Sequence, residues 1–168
     1  MNDNFTDEEI FYIWTLIRNL SHLLGKARDR ELSQYGITVT QSGTLYMIKA
    51  LGDRATPGNI ARVLFREPTT VSNTLIRMEK DGLIKRNKDP KRKSQVRISL
   101  TKEGERVYKN STRRESIRRI MTQLPEKKHR QIRNLLTELR TVTMHDLGLS
   151  PQKPHLPKND FKEELISE

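Results

Sequence analysis

The 168 residues contain no cysteine. That excludes disulfides, thiol redox sensing and cysteine-based zinc sites. Nor is there an apolar run of about 18 residues, the minimum for a membrane-spanning helix. A leader peptide is also missing from view. The first residues, "MNDNFTDEE", are acidic, where a secretory signal begins basic and then turns apolar. A cytoplasmic chain is the expectation. Hydrophobic residues make up only 33% of the sequence, against 32% charged. So polar a chain suits thin helical layers, or a core completed by dimerisation. What is abundant is positive charge. The formal net charge is +11, which points to an anionic partner, nucleic acid or a membrane surface.

The spacing of apolar residues predicts mostly helices. "TDEEIFYIWTLIRNLSHLLGKARDREL" reads as a long first helix. Thr6 and Glu9 stand at capping-box spacing, and Ile10, Ile13, Ile17, Leu20 and Leu24 form its apolar row, widened by Trp14 and Leu16. Its end is expected near Gly36. "TVTQSGTLYMIKAL" is a second helix, with Thr38 and Gln41 repeating the capping spacing and Gly52 closing it. "TPGNIARVLF" is a short third helix, with Thr56 as its cap and Pro57 at the first helical position.

The fourth helix is expected from Pro68 to about Asp81. Val71, Leu75 and Met78 fall on its buried side, with Ile76 alongside. Thr70, Asn73, Arg77 and Lys80 fall on another face. The period then changes from helical to alternating. Leu83 to Lys88 and Gln95 to Leu100 read as two arms of a β-hairpin. Leu83 to Ser99 holds seven Lys or Arg and one acid, Asp89, so the hairpin tip is basic. Two further helices are expected, one from after Thr101 to about Gln123 and one from after Pro125 to about Leu147. Ile132, Leu135, Leu136, Leu139 and Val142 form the apolar row of the last. Beyond Gly148, prolines at 151, 154 and 157 mark a tail.

A short helix, a tight turn, a polar-faced helix and a basic hairpin together predict a winged helix-turn-helix. The fold class is therefore mainly α with a small β-hairpin wing. The expected division is 1–36 and 101–147 as outer helices, 37–100 as the DNA-binding unit, and 148–168 as the tail. The second helix of such a unit enters the major groove with its N-terminal residues first. Base edges require donors and acceptors on short side chains there, which assigns base reading to Thr69, Thr70, Ser72 and Asn73. Arg77 and Lys80, a turn or more further on, are assigned to phosphate. At the hairpin tip Arg92 is expected to enter a minor groove, with Lys91 and Lys93 on the flanking phosphates.

These residues carry a family resemblance. The span from about Gly36 to Gly104 resembles the MarR family of regulators. "GITVTQSGTLYMIKAL" is similar to its second helix, "TPGNIARVLFREPTTVSNTLIRMEKDGLIKR" to its helix-turn-helix, and "NKDP" with "VRISLTKEGERV" to its wing and the return to helix. The resemblance implies a homodimer in which the outer helices interleave. It implies a repressor of a pseudo-palindromic operator, with half-sites about one helical turn apart. It also implies release by a small, often phenolic, anionic or lipophilic, molecule, for which Tyr12, Trp14, Tyr46 and Met47 are candidate pocket residues. The chain departs from the family pattern in its helix-turn-helix turn, where Leu64, Phe65 and Arg66 stand in place of a frequent glycine. It departs also in a wing tip that reads Lys91, Arg92, Lys93, Ser94. A sequence-indifferent architectural DNA binder is the alternative reading.

Catalysis and metal binding find no support. His22, His129, His145 and His155 are scattered, and no Ser-His-Asp set, phosphate loop or HExxH motif occurs. Neither an enzyme nor a cofactor is expected.

Overall fold

The computed structural model describes residues 6–88 and 96–149. The wing tip, with Lys91, Arg92 and Lys93, and the tail beyond Leu149 lie outside the described residues. The helices are α1 (Asp7–Leu32), α2 (Val39–Leu51), α3 (Pro57–Leu64), α4 (Pro68–Lys80), α5 (Lys102–Ser111), α6 (Glu115–Met121) and α7 (Glu126–Asp146). Between α4 and α5 run two antiparallel strands, β1 (Ile84–Lys88) and β2 (Val96–Leu100), in register from Ile84 opposite Leu100 to Lys88 opposite Val96.

Helix starts follow the sequence closely. Thr6 and Thr38 form capping boxes with Glu9 and Gln41, and Thr56 and Thr101 accept from Asn59 and Gly104 N–H. Each satisfies backbone donors that a helix start otherwise leaves without partners. The first helix ends earlier than expected, at Leu32. A 3-10 turn, Ser33–Tyr35, follows, and Gly36 closes that turn at φ 68°.

The core lies in the middle of the chain. Leu32, Leu45, Ile48, Ile60, Val71, Leu75, Met78, Ile84, Ile98 and Val107 are buried together. The hairpin is fastened to it by the Ile98 N–H, which donates to Ala55 O at 2.8 Å. Burial on the order of 2 kcal/mol for each such large side chain is the main stabilising force.

The apolar rows of the outer helices are a different matter. Ile10, Ile13, Trp14, Ile17 and Leu20 on α1 are all exposed, as are Leu135, Leu136, Leu139 and Val142 on α7. Their helices form as the periodicity says, but no described part of the chain covers these faces.

One expected helix is broken. The stretch after Thr101 does not run unbroken to Gln123. It stops at Ser111, and α6 begins only at Glu115. Arg114 at the break has φ 53°, with Arg113 beside it, and Arg118 and Arg119 lie on α6. The cause is tertiary. Glu31 of α1 accepts the Glu115 and Ser116 N–H groups at 3.0 and 2.9 Å, as well as the Ser116 hydroxyl. Arg28, one turn earlier on α1, bonds the Ser111 carbonyl and pairs with Glu31 at 2.6 Å. Two side chains of α1 thus hold both ends of the break.

The helix-turn-helix turn has a left-handed residue too. Phe65 sits at φ 50° and closes α3, its N–H reaching Ala61 and Arg62 carbonyls. A side chain with a Cβ costs roughly 1–2 kcal/mol in that conformation. Phe65 is 56% exposed, so its packing offsets little of the cost. We expect Phe65→Gly to match or exceed the parent in thermal midpoint, and Phe65→Val, β-branched and poorest at positive φ, to fall below it. A Val variant as stable as the Gly variant would show that the backbone there is not held left-handed.

Candidate nucleic-acid interface

Helix α4 presents two opposite faces. Val71, Leu75 and Met78 are buried at 3%, 0% and 0% exposure. Thr69, Thr70, Asn73, Arg77 and Lys80 are exposed, and Ser72 is half-buried on one flank. Of the sequence-assigned residues on α4, Thr69, Thr70, Asn73, Arg77 and Lys80 therefore share one open side. Ile76, expected beside the buried row, is instead 53% exposed. Periodicity could have placed it, since it stands three residues after Asn73 and four before Lys80.

The start of α4 also differs from its neighbours. Pro68 occupies the first turn, and the preceding Glu67 makes no side-chain capping bond. Thr69 and Thr70 are exposed at this helix start, where an anion is favoured electrostatically. At the other end Glu79 pairs with Arg86 of β1 at 3.2 Å. The Leu83 N–H donates to Met78 O at 2.9 Å, so the strand leaves α4 through a tight, bonded turn. Helix and wing base are one packed unit.

The four candidate effector residues do not form one cluster within the chain. Tyr12 and Trp14 lie on the exposed first half of α1, where Trp14 stacks on Phe11 at 5.4 Å and lies beneath the Arg18 guanidinium. Tyr46 and Met47 are half-buried on α2, and Tyr46 meets Tyr108 and the Arg114 guanidinium. A separate open groove of about 420 Å³ lies between the end of α2, the hairpin base and α5. Its rim carries the ion pairs Lys49–Glu105 at 2.7 Å and Arg97–Asp53 at 3.7 Å, and none of the four residues lines it.

Among the described residues no three histidine or acidic side chains gather as a metal site requires. His129 is held by the Met121 carbonyl at 2.6 Å. No described helix is long and apolar enough to cross a membrane.

Residues 35–93, the span from the 3-10 turn to the wing tip, match the MarR family. The chain is also 33% identical over 105 residues to the uncharacterised HTH-type transcriptional regulator YsmB of Bacillus subtilis, covering 61% of this chain and 71% of YsmB. The chain belongs to the MarR family. It is a MarR-type DNA-binding transcriptional regulator, in a family of regulators and not of enzymes. Two solved MarR-like structures extend the likeness to the outer helices. S. aureus MepR in complex with DNA is 30% identical, with 83% of this chain and 99% of MepR covered at a TM-score of 0.69. The organohalide-sensing regulator RdhR, bound to 2,4-dichlorophenol, is 26% identical, with 91% and 97% covered at 0.77.

Proposed function

We propose that this MarR-family chain acts as a homodimeric repressor that reads a pseudo-palindromic operator through α4 and is released by a small molecule. The observation that carries the reading is the two-faced α4, with its hydrogen-bonding stripe open to solvent and no side-chain cap at its start. A groove floor of bases and a rim of phosphates is the complement of such a face. Asn73 is assigned to adenine, Thr69, Thr70 and Ser72 to neighbouring base edges or phosphates, and Arg77 and Lys80 to phosphate. Lys91, Arg92 and Lys93 keep their assignment to the adjacent minor groove and its phosphates.

Support for the dimer is the pair of uncovered apolar rows on α1 and α7. A second copy of the chain, in antiparallel relation, buries both. Two α4 helices then stand about one helical turn of DNA apart. Support for a small-molecule effector comes from RdhR, a relative that binds a chlorinated phenol. An aromatic ligand of that kind suits Tyr12, Trp14, Tyr46 and Met47. To act as an inducer it has to bind the DNA-free arrangement more tightly, by the factor through which it weakens DNA binding.

Sequencing of genomic fragments retained by the purified protein, against random competitor at near-physiological salt, tests the reading. Enrichment of a few sites with half-sites about 10 bp apart is the expected outcome. A flat distribution would support the architectural alternative. On an enriched site, Asn73→Ala is expected to lose roughly 1–3 kcal/mol of discrimination at one base pair per half-site. Equal weakening on every sequence would move Asn73 from base to backbone.

A further inference from the structure

Ile76 is an apolar side chain in the middle of a polar, outward-facing stripe. At about 100° per residue, Thr69, Asn73, Ile76 and Lys80 fall within an arc of about 60°, and Val71, Leu75 and Met78 lie on the opposite side. Ile76 is 53% exposed and takes no part in the core. It also stands apart from the uncovered apolar rows of α1 and α7, which belong to other helices. Three residues on, the Glu79 carboxylate is turned to Arg86 at 3.2 Å, so its charge is neutralised by the wing strand.

The chemistry of the major groove narrows what Ile76 can meet. Of the groups that project from the base edges there, all are hydrogen-bond donors or acceptors except the thymine C5 methyl, while the cytosine C5–H and purine C8–H are flush and small. An isoleucine pressed on any of the others leaves a desolvated polar group without a partner, which is unfavourable. Against a methyl it buries apolar surface on both sides. We propose that Ile76 is a specificity-determining residue that selects thymine by contact with its C5 methyl. Its Cα lies about 4.5 Å along the helix axis from that of Asn73, against a DNA rise of about 3.4 Å per base pair, so the thymine lies within about two base pairs of the Asn73 contact. The assignment rests on the reading of α4 as the groove helix.

Deoxyuridine tests it, because it lacks only the methyl and keeps every hydrogen-bonding atom of thymine. In a site recovered by the genomic selection, each half-site thymine is replaced in turn, and dissociation constants are measured for the parent and for Ile76→Ala. One position is expected to weaken the parent about fourfold per half-site, the worth of one buried methyl. Ile76→Ala is expected to bind the thymine and deoxyuridine sites equally, and Ile76→Val to retain part of the preference. The exposed position makes loss of folding an unexpected result, and the Val variant keeps the test open if Ala binds too weakly to measure. A parent indifferent to every replacement would overturn the proposal, as would Ile76→Ala retaining the full preference. No enriched site in the selection would overturn the α4 reading and this proposal together. Enriched sites bound by a methyl-blind parent would overturn this proposal alone.

Discussion

Gly104→Ala is expected to lower stability by about 2–3 kcal/mol, in the range of overpacking at a site that cannot give way. A Cβ at this position stands 1.9 Å from the Leu83 carbonyl oxygen and 3.0 Å from its carbon. The obstacle is backbone, so no rotamer change removes it. Nor can that backbone shift easily. Leu83 O accepts the Thr101 N–H at 3.1 Å, and the Thr101 hydroxyl donates to Gly82 O at 2.6 Å while it caps α5 at Gly104 N. The first turn of α5 therefore rests directly on the chain that leads from α4 into β1. Urea unfolding should show a lower midpoint with an unchanged slope. Gly43→Ala supplies the control. It lies within α2 with nothing inside 4 Å of the added carbon, and should gain up to about 1 kcal/mol. Coincident unfolding of the Gly104→Ala variant and the parent would mean that α5 can lift from Leu83 without cost.

Glu31→Gln is expected to cost about 3 kcal/mol at neutral pH. Burial by itself raises the Glu31 carboxyl, but the Arg28 guanidinium, the Ser116 hydroxyl and the Ser116 and Glu115 N–H groups outweigh it, and the pKa falls from 4.5 to about 2. Only 6% of the side chain is exposed, so little of this is lost to solvent. A fall of that size corresponds to about 3 kcal/mol of folding free energy. Because the folded-state value is the lower one, the stabilisation is fully present above about pH 4.5 and disappears as pH drops toward about 2. The variant also leaves Arg28, 11% exposed, without its anion. Thermal midpoints followed from pH 7 to pH 2.5 should converge for parent and variant at the acid end. Parallel curves across that range would show that Glu31 is not ionised in the fold.

Contacts such as those of Glu31 and Gly104 join residues far apart in the chain, and that divides what the sequence can tell from what it cannot. Helix starts were legible because the Thr6–Glu9 and Thr38–Gln41 signals are local, three residues apart. The α4 face was legible because one row, Val71, Leu75 and Met78, defines its opposite. The break at residues 112–114 was not. Nothing in "STRRES" interrupts a helix by propensity, and its cause, Glu31, lies more than 80 residues away. Periodicity also tells that α1 and α7 each have an apolar side, but not whether this chain or another molecule covers it. Ile76 was placed with the buried row because hydrophobicity outweighed angle. The Phe65 turn was seen as a departure from glycine, yet the backbone takes the left-handed conformation all the same.

The bonded turn between α4 and β1 has a consequence for the operator. Met78 O, Glu79 and Arg86 tie the groove helix to the wing strand, and Thr101 with Gly104 locks both onto α5. On the proposed reading, the distance between the α4 contact and the base of the wing is therefore a fixed gauge. On that reading, a single base pair inserted between the contact of α4 and that of the wing base is expected to find no slack in the protein to absorb it.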